Sequence, residues 1–136
     1  MKSLDILKWH SGAAALFVPA AFFLCSPVSA DTLDAKSVDG LVSGHTWQQK
    51  RLAGSGFMYW AWGSDGSVCL KDEKAGSCID TGRWKLDRDS VCWELSWWGK
   101  STGYNSRCVR VAPKGDGRYE MVPVDGVTNI EFTIAK

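Results

Sequence analysis

Apolar and polar residues alternate through residues 81–111, the part of the chain that is richest in tryptophan. Successive side chains of a β-strand point to opposite faces, so this alternation predicts three antiparallel strands with one buried face. The buried face would carry Trp84, Leu86, Val91, Trp93, Leu95, Trp97, Val109 and Val111. The solvent face would carry Arg83, Lys85, Cys92, Glu94, Ser96, Cys108 and Arg110. Arg107 is the charged residue that fits this division badly.

The register of these strands predicts a disulfide bond. Pairing Leu86 with Val91 closes the first hairpin across a short polar turn. Pairing Cys92 with Cys108 then closes the second hairpin on a three-residue loop at residues 99–101, which is a common hairpin length. The cysteine pair and the short loop agree although neither was assumed from the other. We therefore expect a bond between these two cysteines.

The remainder of the domain predicts further strands joined by tight turns. Strand-forming runs cover residues 46–52, 57–64, 67–71, 118–124 and 127–134, with Asp65-Gly66 and Asp125-Gly126 as two-residue turns. Residues 34–42 predict a short helix with Asp34 as its N-cap. We expect an all-β fold, a small antiparallel up-and-down barrel or meander of about eight strands preceded by this helix. A two-layer sandwich is the alternative, and a barrel is favoured because closure removes edge strands.

The first thirty residues predict a secretory signal peptide. A weakly basic start precedes an apolar run at residues 13–25, and Val28-Ser29-Ala30 supplies small residues at a cleavage site. A membrane anchor is the competing interpretation, but the run is shorter than the ~20 residues that a spanning helix needs. Lipidation of Cys25 is a further alternative. Cleavage would leave residues 31–136 as a single disulfide-bonded domain that is periplasmic or secreted.

Four cysteines remain in this domain, at positions 69, 78, 92 and 108. An even number in an exported chain is typical of a disulfide framework, for which three connectivities are open. If Cys92 is bonded to Cys108, then Cys69 pairs with Cys78. Zinc is the rival explanation, but no two cysteines have metal-ligand spacing and His45 is the only histidine of the domain. We therefore expect no metal and no cofactor.

Charge and motif content exclude several functions. Fourteen basic and fourteen acidic residues remain after cleavage, so the net charge is near zero, without the basic patch typical of nucleic-acid binding. His45 has no nucleophile at a recognisable spacing, and no glycine-rich phosphate loop or nucleophile elbow occurs. We expect no enzymatic activity and no nucleic-acid partner.

Aromatic residues on a solvent-facing side of the sheet predict a binding surface. With a two-residue turn at Asp65-Gly66, Met58, Trp60, Trp62 and Lys71 would share this side of the sheet. Trp98 would join them, because the strand alternation places it on the face of Cys92 and Glu94. Two alternatives remain: the aromatic rings cover the disulfides, or a longer turn shifts the register by one residue and buries them. Because the other tryptophans would fill so small a barrel, we expect ligands to bind outside it.

The polar loop between Cys69 and Cys78 predicts a second type of surface. Asp72, Glu73 and Lys74 would form an interaction loop, stapled by the disulfide, that blocks a partner enzyme. The leading hypothesis is a non-enzymatic exported binding protein whose surface aromatics contact a cell-envelope glycan, an apolar small molecule or an envelope protein. The alternative is an inhibitor or interaction protein acting on a cell-envelope enzyme such as a lysozyme.

A set of short motifs spans most of the domain: Gly44-His45-Thr46-Trp47, Ser64-Asp65-Gly66, Thr81-Gly82-Arg83-Trp84, Val91-Cys92-Trp93, Cys108 and Tyr119. This set resembles a family of small exported proteobacterial proteins of unknown function, to which Cys69 and Cys78 would be additions. The resemblance implies an exported β-domain and assigns no activity. The expected architecture is also similar, by analogy of fold alone, to lipocalin-like barrels and periplasmic lysozyme inhibitors.

Overall fold

The computed structural model describes residues 31–124 and 130–136. The predicted signal peptide and the predicted Asp125-Gly126 turn lie outside the described residues. One helix, α1, covers Ala35–Val42, and a 3-10 turn covers Lys100–Thr102. The strands are β1 Thr46–Lys50, β2 Phe57–Trp62, β3 Ser67–Lys71, β4 Asp80–Asp87, β5 Ser90–Leu95, β6 Ser106–Gly115, β7 Arg118–Pro123 and β8 Ile130–Ile134.

The eight strands form a closed antiparallel barrel in sequence order. Closure is made by β1 and β8, where Trp47 pairs with Ile134 and Gln49 pairs with Phe132. The expected barrel, preceded by a short helix, is therefore confirmed, and the sandwich alternative is not formed. Because every strand has two neighbours, the sheet has no open edge to pair with another chain.

The up-and-down order gives the barrel two different ends. At one end α1 enters β1, and the tight turns β2–β3, β4–β5 and β6–β7 lie there; we call it the helix end. At the other end lie the β1–β2, β3–β4, β5–β6 and β7–β8 connections; we call it the loop end. All four loop-end connections span more residues than any turn at the opposite end, and longer loops often carry function.

The helix closes its end of the barrel. Asp34 caps α1 by accepting the backbone N–H of Ser37 at 2.8 Å. Val38 and Val42, one turn apart on the inner side of α1, are buried in the core. The indole N–H of Trp47 donates to the carbonyl oxygen of Leu41 at 2.9 Å, which fixes the helix to the first strand.

Aromatic rings fill the interior. Trp47 stacks on Phe132 with ring centroids 3.9 Å apart, and Trp60 stacks on Trp62 at 5.5 Å. Trp93 meets the edge of Trp60 at 5.2 Å. A pocket of about 10 Å³ remains beside Trp60 and Trp93, roughly the space of a single water molecule. Aromatic rings therefore fill most of the barrel interior.

The prediction that Met58, Trp60 and Trp62 face solvent is wrong, because the β2–β3 turn is one residue longer than expected. Trp62 pairs with Val68 and Trp60 with Leu70, which puts all of them on the inner face. Both tryptophans are only 2% exposed, and Met58 is also buried.

Local chemistry explains the longer β2–β3 turn. Gly63 N–H donates to the Ser67 carbonyl oxygen, leaving a three-residue loop at positions 64–66. Gly66, the last residue of that loop, has a φ of 82°, as expected for the left-handed position of a three-residue hairpin loop. The Asp65 carboxylate accepts the N–H and the hydroxyl of Ser67. This longer turn shifts the register by one residue and buries Trp60 and Trp62, as the alternative interpretation of the sequence predicted.

The central ribbon follows the predicted register up to Leu95. Leu86 pairs with Val91 and Cys92 pairs with Cys108. Both expected disulfides, Cys69–Cys78 and Cys92–Cys108, are present. Arg107 pairs with Trp93 on the inner side of β6, where its guanidinium lies 4.3 Å from the centre of the Tyr104 ring.

Candidate functional site

The loop end carries the exposed large apolar side chains of the described residues, and the helix end carries none of them. These side chains are Leu52, Phe57, Trp97 and Val124, which we call the apolar rim. Leu52, Trp97 and Val124 lie in the β1–β2, β5–β6 and β7–β8 connections, and Phe57 is the first residue of β2, so the four lie on three sides of the same barrel mouth. An apolar group concentrated at one end of a small domain indicates an interaction surface.

Trp97 is the largest member of the rim and is 59% exposed. The sequence pattern placed it in the core, and this prediction is wrong. Strand β5 ends at Leu95, and the last β5–β6 pair is Glu94 with Ser106, so the strand alternation stops before the indole. The predicted three-residue loop at residues 99–101 is replaced by a connection spanning residues 96–105 that contains the 3-10 turn.

The prediction that Trp98 faces solvent is also wrong. We expected an outward-facing ring, but the side chain is half-buried and meets the ring of Trp60 edge-on at 5.9 Å. The two neighbouring tryptophans therefore divide their roles: Trp98 anchors the connection on the core, and Trp97 is presented to solvent. Gly99 follows with a φ of 74°, a left-handed conformation that glycine adopts without the steric cost of a side chain.

A buried carboxylate fixes this connection. Asp80, at the start of β4, accepts the backbone N–H groups of Trp97 at 2.9 Å and Trp98 at 2.7 Å through Oδ2. Its other oxygen accepts the N–H of Thr81 at 2.8 Å. Ser96 completes the attachment by donating its hydroxyl to the Thr81 carbonyl oxygen at 2.9 Å. The backbone that carries Trp97 is thus held by several hydrogen bonds to β4.

The pKa of Asp80 reflects these contacts. Burial is the largest single influence and would by itself raise the pKa of this carboxyl. The N–H groups of Trp97, Trp98 and Thr81 act in the opposite direction and together lower the pKa below its ordinary value. The carboxylate is therefore ionised at neutral pH, which strengthens each hydrogen bond that it accepts.

Basic side chains lie at the same end of the barrel as the apolar rim, together with the exposed acidic residues Asp72 and Glu73. Lys50 and Arg51 belong to the β1–β2 connection, Lys71 ends β3, and Lys100 lies in the β5–β6 connection. Lys50 and Lys100 are exposed, and Lys71, which we predicted to contribute to binding, is half-buried. Among the described residues, none of these four forms an ion pair.

The predicted interaction loop is exposed. Asp72, Glu73 and Lys74 all face solvent in the β3–β4 connection, and the Cys69–Cys78 bond closes its base. The Lys74 ammonium donates to the carbonyl oxygen of Lys136, so this loop contacts the C-terminal residue of the chain.

An open groove of about 1050 Å³ runs along the outer face of β4, β5 and β6. Its floor is the Cys92–Cys108 bond, and its charged lining includes Arg83, Lys85 and Glu94. Its lining carries basic and acidic groups in similar number, so the groove has no strong preference for a ligand of one charge.

Groups typical of catalysis are sparse. His45 is exposed at the helix end, where its Nδ1 lies 3.0 Å from the Ser43 carbonyl oxygen. Within residues 31–124 and 130–136, no cluster of three or more metal-ligating side chains occurs. No helix of that same part of the chain is long and apolar enough to cross a membrane.

The described residues define a small closed β-barrel with a packed core, two disulfides and an apolar, basic loop end. Comparison with models of known protein families, with curated proteins and with solved structures finds no match. The resemblance to small exported proteobacterial proteins therefore stays a prediction.

The sequence pattern did not identify any residue of the apolar rim. It placed Trp97 in the core and did not select Asp80, Leu52, Phe57 or Val124. One signal pointed to Trp97: Gly99 follows two consecutive tryptophans, and a glycine there favours a chain that leaves its strand. No comparable signal distinguishes Asp80 from the other aspartates.

Proposed function

We propose that this chain is a non-enzymatic exported binding protein that contacts a component of the cell envelope with its loop end. The observation that carries the proposal is the exposed indole of Trp97 on a backbone held by the Asp80 carboxylate. Large aromatic side chains are the commonest anchors of binding surfaces. An anchor that is already held in place loses less conformational entropy on binding.

The packed interior favours an external site. A pocket of about 10 Å³ is far smaller than the 300–1,000 Å³ typical of small-molecule sites. Trp60 and Trp62, which the sequence pattern placed on a binding surface, are buried in the core. An apolar small molecule inside the barrel is therefore the least favoured of the predicted ligands.

Cosedimentation tests the proposal. The purified, oxidised protein is incubated with bacterial membranes, with peptidoglycan sacculi and with soluble envelope proteins. We expect binding to one fraction that weakens about tenfold or more in Trp97→Ala, the usual cost of removing a central aromatic anchor. Trp97→Phe, which keeps an aromatic ring, should retain most of the binding.

Two controls complete this test. The circular dichroism spectrum and urea midpoint of Trp97→Ala should match those of the parent protein, because surface substitutions usually change stability by less than about 0.5 kcal/mol. Binding of Trp97→Ala that equals the parent in every fraction would refute the assignment of the loop end.

A second candidate function is inhibition of an envelope enzyme through the loop of Asp72, Glu73 and Lys74. The observation that favours it is the exposure of this charged loop above the Cys69–Cys78 bond. Replacing these three residues with serine should then abolish inhibition of a cell-envelope lysozyme, whereas Trp97→Ala should leave it unchanged. The reverse pattern would favour the first candidate.

A further inference from the structure

We propose that the partner of the loop end is a membrane surface that contains anionic lipids. This inference rests on the proposed function and names its partner. Two features at the same barrel mouth carry it: the apolar rim, and the basic side chains beside the rim that have no carboxylate partner among the described residues.

The apolar rim is arranged to enter an interface. Leu52 and Phe57 lie at the β1–β2 connection, Trp97 in the β5–β6 connection and Val124 directly after β7, so the barrel mouth presents all four side chains at the same end. Tryptophan favours the headgroup region of a bilayer, where its ring is amphipathic, and leucine and phenylalanine favour the acyl chains below.

The charges beside the rim fit an anionic surface. Lys50, Arg51, Lys71 and Lys100 lie at the loop end without an ion pair in the part of the chain that the structure describes. A basic residue near an anionic membrane strengthens binding by about 1 kcal/mol, which is roughly fivefold in affinity.

The helix end has the opposite character. Four aspartates lie at its turns and three more lie on or just before α1: Asp65, Asp87, Asp89, Asp116, Asp31, Asp34 and Asp39. Three basic residues in or near its turns are paired: Arg110 with Asp89, Lys114 with Glu120 and Arg118 with Glu131. Lys36 and Arg88 are exposed there and form no ion pair among the described residues. At the loop end, Lys50, Arg51, Lys71, Lys74 and Lys100 outnumber the exposed acidic residues Asp72 and Glu73. The loop end is therefore the end of the barrel that a negative surface would favour.

The polar groups around Trp97 argue against a sugar. Glycan recognition needs hydrogen-bonding side chains beside the aromatic ring. The Ser96 hydroxyl is already engaged by the Thr81 carbonyl oxygen, and both oxygens of Asp80 are engaged by backbone N–H groups. These two neighbours of Trp97 therefore have no free donor to offer a sugar hydroxyl, and the exposed indole ring presents mainly apolar surface, which suits insertion into a bilayer.

Vesicle binding tests the proposal directly. The oxidised protein is sedimented with vesicles of phosphatidylcholine alone and of phosphatidylcholine with phosphatidylglycerol in equal parts. We expect binding to the anionic vesicles, little binding to the neutral ones, and weaker binding as salt is raised. All variants keep the same N-terminus, so that any effect of residues 1–30 is common to them.

Two pairs of substitutions locate the contact. Lys50→Glu with Lys100→Glu should weaken binding at least about twentyfold, since roughly fivefold is lost for each basic residue removed. The matched control, Lys36→Glu with Arg88→Glu, makes the same change of net charge at the helix end and should have little effect. Trp97→Ala should also release the protein from the anionic vesicles.

Fluorescence supplies an independent readout. Brominated lipids quench an indole that enters the bilayer, so the parent protein should lose emission on anionic brominated vesicles, and Trp97→Phe should lose much less. Three results would overturn the proposal. The parent protein could bind neutral and anionic vesicles equally or bind neither, or the loop-end pair of substitutions could weaken binding no more than the helix-end control pair.

The failure of the lipid partner is distinguishable from the failure of the proposed function. If the protein does not bind vesicles but Trp97→Ala abolishes its binding to sacculi or to a purified envelope protein, then the loop end binds a partner other than lipid. If Trp97→Ala changes no interaction with vesicles, sacculi or envelope proteins, then both proposals are wrong.

Discussion

Asp80 and Trp98 are joined by a hydrogen bond in which the carboxylate oxygen Oδ2 accepts the backbone N–H at 2.7 Å. The same oxygen accepts the N–H of the preceding residue, Trp97, at 2.9 Å. One side chain on β4 therefore determines the path of the connection that follows β5. That path turns the ring of Trp98 towards Trp60 in the core and leaves Trp97 at the barrel mouth.

Replacing Asp80 should release this connection. Asp80→Asn keeps the shape of the side chain but removes its charge, so the hydrogen bonds from Trp97 and Trp98 weaken. We expect a loss of about 2 kcal/mol in the free energy of unfolding, the usual scale for hydrogen bonds to a buried charged group. Urea unfolding measures this change. Asp87→Asn, at an exposed position of the same strand, is the matched control and should change the free energy by less than about 0.5 kcal/mol.

The lowered pKa of Asp80 predicts a loss of stability in acid. Its folded-state pKa lies below the unfolded value of about 3.9, so its contribution is fully present above that value. The contribution is lost as the pH falls through the folded-state pKa. We therefore expect unfolding in urea to become easier at acid pH, with a smaller acid effect in Asp80→Asn.

Two other aspartates should also make the folded state less stable in acid. The backbone N–H of Ser37 lowers the pKa of Asp34, and the hydroxyl of Ser67 lowers the pKa of Asp65. Some acid sensitivity should therefore remain after Asp80 is replaced. An acid dependence in Asp80→Asn as large as that of the parent would show that the Asp80 contacts are not formed.

The two stacked core tryptophans should respond differently to phenylalanine. The indole N–H of Trp60 donates to Oε1 of Gln49 at 3.0 Å, and Gln49 is itself buried. The indole N–H of Trp62 is buried with no hydrogen-bond partner among the described residues. Trp60→Phe leaves the Gln49 oxygen unpaired, whereas Trp62→Phe removes a donor that was already unpaired. We expect Trp60→Phe to cost about 1–3 kcal/mol more in the free energy of unfolding.

A double-mutant cycle isolates this hydrogen bond. Combining Trp60→Phe with Gln49→Leu removes both partners, so the double variant should be more stable than the sum of the single effects predicts. Equal costs for Trp60→Phe and Trp62→Phe, with additive effects of Gln49→Leu, would contradict the observed geometry.

The two disulfides should contribute similarly to stability but differ in their local effects. The loops that they close span 16 and 9 residues, so removing Cys92–Cys108 should cost about 3 kcal/mol and removing Cys69–Cys78 slightly less. Denaturant unfolding of the paired Cys→Ala variants measures both costs. The loss of Cys69–Cys78 should free the Asp72 to Lys74 loop, detected as faster amide exchange there. A peptide map that links Cys69 to Cys92 would contradict the fold.

Gly82 should tolerate no side chain. A Cβ atom at this position of β4 would overlap the backbone carbonyl oxygen of Glu94 on β5, and this neighbour cannot move without breaking the strand pairing. We expect Gly82→Ala to reduce the free energy of unfolding by roughly 1–3 kcal/mol. Gly40→Ala is the opposite control, because Gly40 lies in α1 with open space around it. That change should stabilise the protein by about 0.5–1 kcal/mol.

Much of the barrel was predictable because strand alternation and hairpin pairing are local. The Cys92–Cys108 pair, the Leu86–Val91 pair and the helix cap at Asp34 each depend on residues close together in the sequence. The site was less predictable. The inner position of Trp62 depends on one extra residue in the β2–β3 turn, and a shift of one residue inverts every side chain of a strand.

The sequence by itself determined the strand-rich architecture, the two cysteine pairs and the excess of aromatic rings available to fill a small core. It did so because side-chain alternation and short-range pairing are encoded within a few neighbouring residues. Only the tertiary structure decided which tryptophan is exposed. Asp80 and Trp97 are separated by sixteen intervening residues, and the hydrogen bond between them forms only when β4 and β5 lie side by side. Barrel closure, likewise, brings Leu52, Phe57, Trp97 and Val124 to one end, a grouping that no local pattern contains.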